Sequence, residues 1–135
     1  MKSERKLVVA GSASMQKELR EFLDELKQDY EIINCPKSLS KENFEEVYPN
    51  VFKSFFESIT QTDVFVLFNP DKKGISGYIG SESFAELIFA LTQNILYGKN
   101  IEIFVYKMPE KSVACYDEIK FWIDKGDIKI WEKTN

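Results

Sequence analysis

Residues Val64 to Phe68 read VFVLF, an apolar run with no polar residue at alternate positions. A strand of that composition is covered on both faces, which points to an interior place in a parallel sheet. The next forty residues narrow the choice further. A loop over residues 69–80 carries Gly74, Gly77 and Gly80. Phe84, Leu87, Ile88, Leu91 and Ile95 then recur at helical spacing, Gly98 supplies a stop, and residues 101–106 form a second strand. Strand, loop, helix and strand in this order make one parallel crossover unit.

The rest of the chain repeats that alternation. Residues 6–10 (KLVVA) form a short strand that ends at Gly11, and Met15, Leu19, Phe22, Leu23 and Leu26 mark an amphipathic helix with Ser14 as its expected N-cap. Residues 30–34 read as a strand closed by Pro36. Ser40 opens a helical turn through Phe44 and Val47. Pro49 suits the first position of a helix rather than its interior, so a break is expected near Tyr48, followed by a helix carrying Val51, Phe52, Phe55 and Ile59. Val113, Tyr116, Ile119 and Ile123 predict a last helix, and residues 128–131 a short final strand. The reading is a single domain over residues 1–135: α/β, a three-layer αβα Rossmann-like fold of flavodoxin type, with a five-stranded parallel sheet in the order 2-1-3-4-5.

Composition removes several functions. Histidine is absent, which excludes Ser-His-Asp and Cys-His mechanisms and the usual zinc sites. A formal net charge of -4 leaves no footprint for nucleic-acid backbone, and no apolar run approaches a membrane span. Cys35 and Cys115 match no metal or redox spacing and read as reduced thiols of a cytoplasmic protein. No metal or organic cofactor is expected. Any acid–base chemistry falls to Asp, Glu, Tyr, Lys or Cys.

Three segments offer chemistry. The turn Gly11-Ser12-Ala13-Ser14 precedes a helix, where free N–H groups and the helix dipole favour an anion; it also reads as a tight turn with a serine cap. The loop from Asn69 to Gly80 lies at the ligand-facing end of its strand, with Asn69, Asp71, Tyr78 and Gly80 as candidate contacts; it also reads as a disordered insertion. Glu82 and Glu86 share one helix face. Ser83-Phe84-Ala85-Glu86 fits a capping box, which would make Glu86 structural. Alternatively, the helix dipole stabilises Glu86 as an ionised nucleophile. Trp122 and Trp131 read as core or interface residues.

Taken together, VVAGS at 8–12, Thr62-Asp63 opening VFVLFN, GYIGSESFAELIFA at 77–90 and Tyr97-Gly98-Lys99 resemble the nucleoside 2-deoxyribosyltransferase-like family. The resemblance spans roughly residues 6 to 106. It implies a site for a small-molecule nucleoside or nucleotide and a homo-oligomer of two or more chains. It also implies transfer or hydrolysis of an N-glycosidic bond, with Glu86 attacking C1′ of a 2′-deoxynucleoside or its 5′-monophosphate. Gly11, Ser12 and Ser14 would line the sugar or phosphate end, and Asp63 would be structural. Where the family often has an acid at the end of the third strand this chain has Asn69, so Asp71, Tyr78 or Glu82 would have to supply the proton for the leaving base. The alternative is a non-catalytic nucleotide-binding or interaction protein that keeps the fold.

Overall fold

The structure, a computed structural model, describes residues 5–132. Its elements are β1 (Lys6–Gly11), α1 (Gln16–Leu26), β2 (Glu31–Asn34), α2 (Phe44–Ile59), β3 (Val64–Phe68), α3 (Ser81–Tyr97), β4 (Glu102–Val105), α4 (Tyr116–Lys125) and β5 (Lys129–Ile130). The five strands pair in parallel and the sheet order is β2-β1-β3-β4-β5, as the alternation predicts.

Strand β3 is the axis of the sheet. It pairs with β1 through Leu7–Val64 to Gly11–Phe68 and with β4 through Val64–Glu102 to Leu67–Val105. Every one of its residues is buried. Period-two alternation sends its side chains to two separate cores. Phe65 and Leu67, with Val8, Ala10, Ile103 and Val105, meet α2, α3 and α4 through Phe55, Ile59, Leu87, Leu91 and Ile119. Val64, Val66 and Phe68, with Leu7 and Val9, meet α1 through Leu19, Phe22 and Leu26.

One helix covers the second face, and aromatic rings extend the cover toward β5. Phe22 stacks on Phe68 at 4.7 Å between centroids, Phe68 meets Tyr106 edge-on at 4.8 Å, and Phe104 meets Trp131 edge-on at 4.9 Å. Trp131 belongs to this core and Trp122 packs against the other.

Two local expectations are corrected. Helix α2 does not break near Tyr48 but runs from Phe44 to Ile59 with Pro49 inside it. The proline removes the bond that its N–H would have given the Glu45 carbonyl, and its ring crowds that carbonyl. Ring contacts continue across it: Phe44–Tyr48 at 4.8 Å, Tyr48–Phe52 at 6.1 Å and Phe52–Phe56 at 4.4 Å. A continuous aromatic stripe outweighs one missing hydrogen bond. At α1 the N-cap is Met15 rather than Ser14, with no side-chain cap. The Ser14 hydroxyl instead meets the Ser12 hydroxyl at 2.7 Å.

The sheet's carboxyl end is shaped by close backbone approach. Gly11 has φ +150°, and a Cβ there would lie 2.6 Å from the Phe68 carbonyl oxygen. Only glycine lets β1 and β3 finish side by side at this point. At the other end, Asp63 Oδ2 accepts the Lys6 N–H at 2.9 Å and Thr62 Oγ1 lies 3.0 Å from the Lys6 carbonyl. Asp63 therefore aligns the start of β3 with β1. Among the described residues no helix is long and apolar enough to cross a membrane.

Candidate functional site

The ends of β1 and β3 open into a cleft of about 410 Å³. Gly11, Ser12 and Ala13 enter from the β1 turn; Cys35 and Lys37 from the segment after β2; Tyr48, Phe52 and Phe55 from α2; Pro70, Lys72 and Tyr78 from the loop after β3; and Gly80, Glu82 and Glu86 from the start of α3. Helices α1 and α2 leave the sheet on opposite faces, so the crevice lies at the point where the strand order reverses.

The loop over residues 69–80 is an ordered scaffold rather than a disordered insertion, and Asn69 is its anchor. Asn69 is 1% exposed. Its Nδ2 donates to the Gly77 carbonyl at 3.1 Å and the Lys107 carbonyl at 2.8 Å, while its Oδ1 accepts the Lys107 N–H at 3.1 Å. Asp71 strengthens the same junction by accepting the Gly77 N–H at 3.1 Å and pairing with Lys107 Nζ at 2.7 Å. The Ser76 N–H donates to Glu110 Oε1 at 2.6 Å, and the Glu110 N–H returns a bond to the Ser76 carbonyl at 2.9 Å. Gly77, at φ +65°, is pressed in so closely that a Cβ would lie 2.8 Å from Pro109 Cα. These bonds hold Tyr78 and Gly80 over the cleft.

Two expected site residues are therefore employed elsewhere. Neither Asn69 nor Asp71 lines the cleft. Asn69 spends its amide on backbone groups. The Lys107 ammonium, with the Gly77 N–H, holds the Asp71 carboxyl below its ordinary value, which makes it a poor proton donor at neutral pH. Ser14 is exposed and also lies outside the lining. Gly11, Ser12, Tyr78, Gly80, Glu82 and Glu86 are brought together as expected.

Glu86 is not a capping-box partner. The N-cap of α3 is Gly80, with no side-chain cap, so Glu86 falls in the second turn rather than at the third helical position. It is 8% exposed, and among the described residues no hydrogen bond or ion pair reaches its carboxyl. Burial, reinforced by the Glu82 charge one turn earlier, pushes it up to about 8. Glu82 is exposed and accepts the hydroxyl of Tyr48. That bond to Glu82, followed by burial, pushes Tyr48 up to about 12, so Tyr48 remains a donor across the neutral range.

Tyr48, Lys37 and Lys72 are the cleft residues that sequence reasoning missed. Tyr48 meets Glu82 across a separation of 34 residues, for which no local pattern exists. The lysines had a usable signal, since each follows a strand at the sheet's carboxyl end. Lys72 Nζ donates to Ser12 Oγ at 3.2 Å and stands 5.4 Å from the centre of the Tyr78 ring. Lys37 Nζ donates to Asn34 Oδ1 at 3.0 Å. Among the described residues no group of three or more Cys, Asp or Glu side chains is arranged to hold a metal ion.

Two stability measurements check this geometry. In Asn69→Asp, a carboxylate faces the Gly77 and Lys107 carbonyls with no proton to donate, and chemical denaturation should show a loss of about 1–3 kcal/mol. For Glu86, the carboxyl ionises near 4.5 when free and near 8 when folded. The folded state holds that proton more tightly, so stability falls as pH rises between these values. Glu86→Gln has no proton to lose and should exceed the parent protein above pH 8 by on the order of 5 kcal/mol, with the gap closing toward pH 4.5.

Compared with protein-family models and with curated proteins, the sequence matches none.

Proposed function

We propose that this protein cleaves or transfers the N-glycosidic bond of a 2′-deoxynucleoside or its 5′-monophosphate, with Glu86 as the nucleophile. The observation that carries the reading is the carboxyl of Glu86, on a largely buried residue yet open to the cleft and without a hydrogen-bond partner, on the first turns of a helix that opens into that cleft. A largely desolvated carboxyl without a partner is costly as a structural feature and reactive as a chemical one. The resemblance of the β1 turn, the β3 opening and the α3 segment to the nucleoside 2-deoxyribosyltransferase-like family supports the same assignment.

In this mechanism a Glu86 carboxylate oxygen bonds to C1′ as the C1′–N bond breaks, and the electron pair leaves with the base. The base takes a proton as it departs. Tyr48, which keeps its proton across the neutral range and hydrogen-bonds Glu82 at the cleft wall, is the group placed to give it. Asp71 no longer has that role, because Lys107 keeps it ionised. Water or an acceptor base then attacks the sugar ester and frees Glu86. Tyr78 offers a ring face to the substrate. Oligomerisation belongs to the same reading, and the exposed Ile95, Leu96 and Tyr97 at the end of α3 form an apolar patch suited to such contacts.

A second reading, a nucleotide-binding module without turnover, is favoured by one observation. Asn69 and Asp71 are both committed to the loop junction, which leaves that loop without an acid for the cleft.

The test is base release from deoxynucleosides and their monophosphates, with and without an acceptor base. The glycosidic reading expects release that Glu86→Gln lowers by about 10³-fold or more while the fold survives. Because Glu86 must be ionised to attack, the rate should climb with pH and level off above about 8. Ligand-dependent thermal stabilisation without release would replace it with the binding module.

A further inference from the structure

The charges of the cleft do not cancel in pairs. Lys37 and Lys72 both line it, and among the described residues neither lies within ion-pair distance of a carboxylate. On the described surface Lys27, Lys53, Lys107 and Lys120 find acidic partners and other lysines do not, so what sets the cleft pair apart is that two unpaired ammonium groups line one concave site. The cleft lysines come from different loops, after β2 and after β3, whereas both cleft carboxylates, Glu82 and Glu86, come from α3.

Lys72 is also held in place. Its ammonium is fixed between the Ser12 hydroxyl and the Tyr78 ring, contacts that position a cation without neutralising it. Fixing a lysine costs side-chain entropy, and a hydroxyl and a ring return little of it unless the charge meets something further. Beside it, the first turn of α1 has no side-chain cap and its positive dipole end favours an anion, while the Ser14 N–H of the β1 turn is taken by Ser12 Oγ at 3.2 Å.

We propose that Lys72, assisted by Lys37, binds a phosphate-type dianion carried by the ligand, so that the cleft takes a nucleoside 5′-monophosphate in preference to the uncharged nucleoside. The inference rests on the nucleoside-type ligand proposed above and adds to it the charged group. Lys72 then determines specificity and takes no part in bond breaking. Lysine suits the task as a point charge that lets the phosphate turn, while Tyr78 beneath it limits where the sugar and base can lie.

Calorimetric titration of the full chain tests this, using the common 2′-deoxynucleosides, their 5′-monophosphates and inorganic phosphate at low and high salt. The expected result is a monophosphate that binds about tenfold or more tightly than its nucleoside, with the preference shrinking as salt rises. Lys72→Gln should weaken the monophosphate about tenfold more than the nucleoside and so remove that preference, while Lys72→Arg keeps it. Should Lys72→Gln fail to fold, Lys37→Gln carries the same comparison and should reduce the preference. Equal affinity for nucleoside and monophosphate overturns the proposal. So does equal weakening of both by Lys72→Gln, which would make Lys72 only a support for Tyr78. Binding of inorganic phosphate without any monophosphate, or no binding at all, overturns it too. The two proposals fail separately. Monophosphate preference without base release leaves this one standing and removes the glycosidic reading. Base release at equal kcat/KM from both substrate forms does the reverse.

Discussion

Burial of β3 on both faces is the constraint on which the rest of the molecule depends. Five consecutive apolar residues cannot meet water on either side, so helices must cover the sheet above and below. Helices α2, α3 and α4 take one face, and α1 with a group of aromatic rings takes the other. The same strand needs neighbours at both edges, which places β1 and β4 beside it. Its carboxyl end must then release the chain between two layers of helices, and a cleft at that end is the direct result.

The loop leaving β3 shows how a site is kept open without a lid. Asn69 ties the loop's two ends to the strand exit beyond β4, and Asp71 and Ser76 add bonds to Lys107 and Glu110. These contacts use up polar groups that would otherwise be free to serve a ligand. In return, Tyr78 and Lys72 have fixed positions over a cleft in which Glu86 is largely buried. Preorganisation of this kind moves the ordering cost from ligand binding to folding.

The fold was largely legible because apolar runs and helical stripes are local signals. Val64 to Phe68, the α1 stripe and the Gly98 stop needed no distant information. Pro49 misled because the rule against proline is local, whereas the ring stacking that overrides it depends on the register of the whole helix. The site was legible only in part. Glu86 stood out by its place after a glycine-rich loop, but its two readings separated only once Gly80 proved to be the N-cap. Asn69 looked like a lost acid, and its donation to the carbonyls of Gly77 and Lys107 depends on contacts that no motif encodes. Tyr48 was hidden for the same reason.

Cys35 gives the cleft a chemical property of its own. It is one of the chain's two cysteines, it lines the cleft wall and it is partly open to solvent, whereas Cys115 is buried in the core on the α4 side. A thiol-specific reagent small enough to enter the cleft therefore meets one accessible sulfur in the folded chain, and that sulfur lies where a ligand would shield it. The rate of thiol labelling becomes a readout of occupancy that needs no turnover and works for a ligand of any chemistry.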